Sequence, residues 1–483
     1  MNTAVVQKII GILLMLFSAT MLPPLLVSLL YQDGNWQPFV ESFVIILSIG
    51  ALCWWPRRKT TRELRHRDGF LIVSLFWCVL GVAGATPMLL SDTPSMTFTD
   101  AVFESISGFT TTGATVLTGL DSMAPSFLYF RQQIHWFGGI GIVVLAVALL
   151  PMLGIGGMQL MKAETPGPIK DAKLTPRITE TAKALWLVYV SLTLLCALCY
   201  WAAGMSLFDA IGHAFSTLST GGFSTHDASL AYFKSAAIET IAMVFMFLGG
   251  VNFALHYMVL RHRDVRGYWR DPEFKTYCLV LSGLITTYTL ILWATGTEST
   301  GVEALRASAF QAISIQTSTG FLTEDYSTWP FAIPVVLILS TFIGGCAGST
   351  GGGMKVVRWL MLWKQGSREF VRVMHPNAVI PIKLAGRPVQ EHVISAVWGF
   401  FALYVMSFIV LMLSLLATGE DAVTAFSAIA TCMNNTGPGL GKVVWSFATV
   451  STAGKWICAA AMLLGRLEVF PILVLMTRGF WRD

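Results

Sequence analysis

Residues 109–115 read FTTTGAT and close an apolar run, near 99 to 110, that is only about half the length of a bilayer crossing. A hydrocarbon core of ~30 Å takes about 20 apolar residues per helix. A second apolar run, near 128 to 153, follows at once. The same arrangement recurs at LSTGGFS (218–224), QTSTGFL (316–322) and MNNTGPG (433–439). Aligned on one glycine each, Gly113, Gly222, Gly320 and Gly437 lie 109, 98 and 117 residues apart, a repeat near 108 residues. One such stretch would be an ordinary glycine and threonine loop on an outer surface. Four, each after a half-length helix and before a full span, predict re-entrant turns.

Composition agrees. Hydrophobic residues make up 54% of the chain and charged residues 12%, with a mean hydropathy of +0.66. These values describe a polytopic membrane protein and leave no stretch long enough for a separate soluble domain. The first span, near 9 to 30, has no small-residue cleavage pattern after it and reads as retained. Cys196 and Cys199 form a CxxC within a span; without a second ligand pair they read as packing residues.

Basic residues crowd alternate loops, within 57–67, 162–177, 261–275 and 355–387, while the intervening loops carry more acid than base. The positive-inside rule places the basic loops and both termini in the cytoplasm. Because the charge alternates with spans and forms no single patch, nucleic acid is not an expected partner; the lipid membrane is.

Each repeat reads span, half-helix, glycine turn, span. First spans fall near 69–90, 184–203, 277–295 and 393–417, half-helices near 99–110, 207–218, 303–316 and 421–433, and second spans near 128–153, 237–260, 331–362 and 453–477. With two N-terminal spans near 9–30 and 39–55, that makes ten. The predicted fold is an all-α polytopic membrane protein: four membrane-pore-membrane repeats with pseudo-fourfold symmetry, potassium-channel-like, plus two extra N-terminal transmembrane helices. The division is 1–68 for those helices, then repeats at 69–182, 183–275, 276–391 and 392–483.

Irregular backbone at membrane depth survives only when buried in protein or lining a water-filled cavity. Four half-helices entering from outside point their C-terminal ends at one cavity, where a partial negative charge of about half an electron favours a cation. Rings of backbone carbonyls replace the hydration shell of a potassium ion. Asp100, Asp209, Glu303 and Asp421 start the half-helices, where capping explains them at least as well as cation recruitment.

The motifs TTTGAT, STGGFST, TSTGF, NNTGPGLG, GGCAGSTGGG and LLGRLEVFP together resemble the Trk/Ktr/HKT superfamily of potassium transporters, and within it the bacterial TrkH-type potassium uptake proteins. The resemblance covers essentially the whole chain. It implies a potassium filter at Thr111, Thr112 and Gly113; Thr220, Gly221 and Gly222; Ser318, Thr319 and Gly320; and Asn435, Thr436 and Gly437. Sodium-selective plant relatives carry serine in place of the first glycine, so Gly113 is similar to the potassium-selective type. The resemblance further implies potassium as transported substrate, no cofactor in this chain, a homodimer with one pore per protomer, and a multi-pass place in the bacterial inner membrane. It also implies a cytoplasmic TrkA-type nucleotide-binding ring as partner, with 363–392 one contact for it. Asn434 and Asn435 stand where the first turn has threonines, a choice that the pattern does not explain.

The stretch IGGCAGSTGGGMK (343–355) looks like a phosphate cradle, but Met354 separates its last glycine from Lys355 and Val356 stands where a P-loop needs a hydroxyl. It resembles instead the family's intramembrane gating loop, with Gly344, Gly345, Gly348, Gly351, Gly352 and Gly353 as hinges in a segment poor in packing contacts. Close helix packing through small residues is the alternative. Arg466 lies about 12 residues into the last span, roughly 18 Å deep. It is expected to face the cavity as a positive barrier beside the loop, or else to form a buried salt bridge with another helix. Lys355 and Arg358 are expected to snorkel to the cytoplasmic surface. A proton- or sodium-coupled potassium symporter with the same filter is the alternative to a gated channel. A nucleotide- or phosphate-handling membrane enzyme is the remote one, requiring a magnesium-holding acid cluster near the loop that the sequence lacks.

Overall fold

In the computed structural model, which describes residues 3–60, 66–141 and 178–481, the described secondary structure is helical apart from one hairpin pairing Lys383–Leu384 with Arg387–Pro388 and a single bridge between Ile343 and Met354. Among the described residues six helices are long and apolar enough to cross a membrane. Two are N-terminal, Thr3–Tyr31 and Gln37–Arg57. The other four, Asp68–Leu90, Ala182–Ala202, Pro272–Ala294 and Glu391–Leu416, open the four repeats. All eight cysteines are free.

The half-helices are Phe98–Phe109, Leu207–Ser219, Gly301–Gln316 and Ala422–Met433. Each starts on a side chain that satisfies an orphan backbone N–H: Thr97 accepts from Asp100, Ser206 from Asp209, Thr300 from Glu303, and Asp421 from Thr424. The acidic residues near these starts therefore do capping and first-turn work, as their positions allowed.

Each half-helix packs against its own first helix and against the second helix of the preceding repeat. Phe98–Phe109 lies between His66–Gly84 and Thr452–Arg466, and Leu207–Ser219 between Ile178–Ala202 and Pro125–Trp136. Gly301–Gln316 lies between Pro272–Ala294 and Ala236–Gly249, and Ala422–Met433 between Glu391–Leu416 and Ile333–Ser340. This rotation closes on itself after four steps.

The second spans need a correction, because none of those described runs unbroken. Ala236–Gly249 and Phe253–His262 meet at 95°, and Thr452–Arg466 and Phe470–Met476 at 111°. Ile333–Ser340 ends before the glycine run, and helix resumes at Val356–Met374. Pro125–Trp136 passes into a kinked turn, Phe137–Gly141; the rest of that span and the basic residues of 162–177 lie outside the described residues. In the first and fourth repeats the second span passes beneath the end of its half-helix too closely for a side chain. A Cβ on Gly138 would lie 2.0 Å from the Phe109 carbonyl oxygen, and one on Gly465 2.0 Å from that of Met433. Breaking a helix in the membrane frees backbone groups that need partners, and the site supplies them.

On the face with more acid, His226 ties the first two repeats together. Its ring stacks on Tyr232 with centroids 3.5 Å apart, Nδ1 meets Asp121, and Nε2 lies 3.5 Å from Asp209 Oδ1. Asp227 accepts from the Gly119 N–H at 3.0 Å, and His213 stacks nearby. Burial pulls the His226 pKa down, but bonds and charge from Asp209 and Asp121 outweigh it and hold it above 6.5. A histidine raised in the folded state contributes stability that is complete below its unfolded pKa of ~6.5 and is lost as pH rises through the folded value. His226→Gln should therefore lower the melting temperature most between about pH 5 and 6.5, with the gap narrowing toward about pH 8 in detergent thermal scans. A gap that widens with pH would contradict the clamp.

Candidate functional site

The four half-helices end alike. One residue before each aligned glycine, a backbone N–H turns back to the carbonyl six residues before that glycine: Thr112 to Ser107, Gly221 to Ser216, Thr319 to Ser314, and Thr436 to Thr431, each at 2.8 Å. The residue before that donor is left-handed in every copy, with φ of 53° at Thr111, 53° at Thr220, 60° at Ser318 and 52° at Asn435. The glycines follow at 78°, 82°, 78° and 89°. A left-handed residue ends a helix by satisfying its last carbonyls, and glycine takes positive φ without steric cost.

The turns meet as a closed ring. A Cβ on Gly113 would lie 2.2 Å from the Gly221 carbonyl oxygen, and one on Gly222 2.0 Å from that of Thr319. A Cβ on Gly320 would lie 2.0 Å from the Thr436 oxygen, and one on Gly437 2.6 Å from that of Thr112. Each repeat thus presses its glycine on the carbonyl of the next, and the fourth presses on the first.

Beneath the ring lies the glycine run. The Gly352 N–H donates to Ser318 Oγ at 2.5 Å, and a Cβ on Gly352 would lie 2.1 Å from the Asn434 carbonyl oxygen. The run is tied in place, contrary to the expectation of few packing contacts. The carbonyls freed by the break at 250–252 accept from it: Gly250 from the Cys346 N–H at 2.8 Å, and Gly249 from the Thr350 N–H at 3.2 Å. Glu273 Oε1 accepts from the N–H of Ala347 at 2.8 Å and of Val357 at 3.0 Å, holding both limbs. Gly344 pairs with Met354 and Gly345 with Val356, whereas Gly348 sits farther out against Asn252. The Arg466 guanidinium donates to Thr111 Oγ1 and the Thr350 carbonyl, 3.2 Å each, and to the carbonyls of Gly138 and Gly139. One cation joins turn, loop and kinked helix.

Compared with known proteins, residues 35–480 match the family model described as TrkH, cation transport protein. The chain belongs to the TrkH family. It is 52% identical over 483 residues, all of both chains, to the Trk system potassium uptake protein TrkH of Escherichia coli K12. It is 53% identical over 478 residues, 99% of both, to the protein of that name from Vibrio parahaemolyticus. The crystal structure of the potassium transporter TrkH from Vibrio parahaemolyticus superposes over 100% of both chains with a TM-score of 0.91 at 50% identity. Membership in the TrkH family makes this chain a transport protein rather than an enzyme.

In this TrkH-family fold, the twelve turn residues named from sequence converge on one ring, with Arg466 and most of the glycine run directly below. Lys355 and Arg358 do not snorkel. Lys355 Nζ donates to the Gly351 carbonyl, and Arg358, 4% exposed, pairs with Glu468 and lies 3.9 Å from the Phe400 ring centroid. Glu468 belongs to the break of the last span, where it and Val469 both have positive φ, 51° and 64°.

Sequence reading missed the residues that brace the turns from behind. Nine residues before the aligned glycine stand Glu104, His213 and Gln311. Glu104 accepts from Thr115 Oγ1 at 2.9 Å, His213 Nε2 meets Ser224 Oγ at 2.9 Å, and Gln311 reaches Thr323 Oγ1 at 3.3 Å. In the fourth repeat Ser427 accepts from the Leu440 N–H at 2.8 Å. A large polar residue at a fixed offset in an apolar half-helix was the available signal.

The asparagines now have an account. Where Thr110 and Thr317 donate to the carbonyl four residues back, both at 2.7 Å, Asn434 Nδ2 does so at 2.8 Å. Its amide also donates to Thr341 Oγ1 at 2.9 Å and accepts from the Tyr404 hydroxyl, bonds a threonine could not add. Asn435 adopts the left-handed region that asparagine tolerates and donates to Thr112 Oγ1 and the Met462 carbonyl at 3.0 Å each. Asn435→Asp would face two oxygens with a carboxylate, a buried mismatch costing about 1–3 kcal/mol or more, and should lower the melting temperature in detergent well beyond Asn435→Gly. Equal melting of the two would contradict this role.

Proposed function

We propose that this TrkH-family chain takes up potassium across the bacterial inner membrane through a filter formed by the four turns. The observation that carries the reading is the cyclic contact of Gly113, Gly222, Gly320 and Gly437 with the carbonyls of Gly221, Thr319, Thr436 and Thr112. Carbonyls so gathered, with four half-helix C-terminal ends behind them, replace the water shed by an entering cation. The names of the relatives, both potassium uptake proteins, support potassium as the ion.

Below the filter, residues 344–353 act as the gate, with Arg466 as a positive barrier that is also the gate's latch through Thr350. Opening requires the bonds to Gly249, Gly250, Ser318 and Glu273 to exchange together, so the gate is a two-state element rather than a loose flap. The remaining assignments follow the family: repeats at 69–182, 183–275, 276–391 and 392–483, both termini cytoplasmic, a homodimer, and a cytoplasmic TrkA-type ring that biases the gate.

Cation flux into liposomes holding this protein tests the filter. Wild type should pass potassium in preference to sodium, and Gly113→Ser, whose Cβ must displace the Gly221 carbonyl, should lose most of that preference. An unchanged preference in a folded variant would place the filter elsewhere. Arg466→Ala should raise flux without the partner ring by about tenfold, since removing a fixed charge from a low-dielectric path removes more than ~1 kcal/mol of barrier. Unchanged flux per folded molecule would leave Arg466 a purely structural tie.

A further inference from the structure

We propose that the buried Glu104–Arg131 pair is a positioning element for ion selectivity, fixing the distance between the first and second turns; the inference rests on the filter reading above. Glu104 is fully buried in the first half-helix, and Arg131, from the second helix of the same repeat, is 1% exposed. Arg131 Nε and Nη2 donate to Glu104 Oε1 at 2.9 and 2.7 Å. The carboxylate also accepts from Thr115 Oγ1 at 2.9 Å and the Val116 N–H at 3.0 Å, gripping the limb that leaves the first turn.

Arg131 does not stop at its own repeat. Nη1 donates to the Ser224 carbonyl at 3.2 Å, two residues past Gly222, and the guanidinium lies 4.1 Å from the Phe223 ring centroid. Phe223 in turn stacks on His135 at 4.0 Å. The planar fork therefore spans from the first turn to the second, behind the joint where Gly113 meets the Gly221 carbonyl. The matching positions, eighteen residues past the other glycines, hold Thr240, Ile338 and Lys455. Lys455 Nζ goes instead to Asp100 Oδ1 at 2.7 Å, at the start of the first half-helix and away from the turns.

Stability does not explain the pair. A buried ion pair gains little over apolar residues of equal volume, because desolvation offsets attraction. What it supplies is geometry: a planar guanidinium that donates both to Glu104 and to the Ser224 carbonyl holds these partners at fixed separation, which a lysine cannot do. Discrimination against the smaller sodium ion requires that neighbouring carbonyls not close in around it.

The neutral pair Glu104→Gln with Arg131→Met removes both charges at similar volume, so no uncompensated charge is left buried. Arg131→Lys keeps the charge and loses the span. For each, the ratio of potassium to sodium flux in liposomes is measured beside the melting temperature. The neutral pair should fold and lose about tenfold in the flux ratio, with the lysine variant losing several-fold. A folded neutral pair whose ratio stays within about twofold of wild type overturns the inference, since a merely structural role moves melting and yield but not the ratio. Wild type without potassium preference in the same assay overturns the filter reading itself, which separates the two failures.

Discussion

Four chain segments meet where there is no room for a Cβ, and the rest of the molecule follows from that. At Gly222 and Gly320 an added methyl carbon would sit 2.0 Å from a neighbouring carbonyl oxygen, far inside contact distance. Carbonyls can be gathered this tightly only if the facing residue is glycine and the chain on either side of it is held from behind. The half-helix ends do the first part of the holding through four equivalent 2.8 Å backbone bonds, and the braces from Glu104, His213, Gln311 and Ser427 do the second. Local backbone preference and long-range packing agree at each turn.

The same closeness dictates what happens below. Second helices that pass under the turns are broken, and a broken helix in a membrane exposes polar backbone that lipid cannot satisfy. Here the freed carbonyls of Gly249 and Gly250 accept from the glycine run, and those of Gly138 and Gly139 from Arg466. The segment below the ring is thus the partner that makes the breaks tolerable. Displacing it would break several hydrogen bonds at once.

Much of this was legible in the chain because the repeat puts the same short pattern in four places. The half-helix bounds read from hydropathy fall within about two residues of those observed, and all twelve turn residues converge. The breaks in the second spans were not legible, since hydropathy reports composition along a segment and is blind to its axis. Arg358 was misplaced for a different reason: a long cationic side chain near a span end snorkels unless a partner waits inside, and Glu468 lies 110 residues away in sequence; Lys355 is held by the Gly351 carbonyl of the glycine run. Asn434 and Asn435 made sense only once Tyr404, Thr341, Thr112 and Met462 were seen around them.

The central claim is that the four carbonyls before the aligned glycines gather one cation site. The most direct test is a diffraction experiment on crystals grown with rubidium or thallium replacing potassium, using the ion's anomalous scattering. The account predicts a peak on the pseudo-fourfold axis, coordinated by the carbonyls of Thr112, Gly221, Thr319 and Thr436, and weakened when potassium is added beside the heavier ion but not when sodium is added at the same concentration. Anomalous density confined to the surface, or inside the molecule but away from those carbonyls, would contradict it.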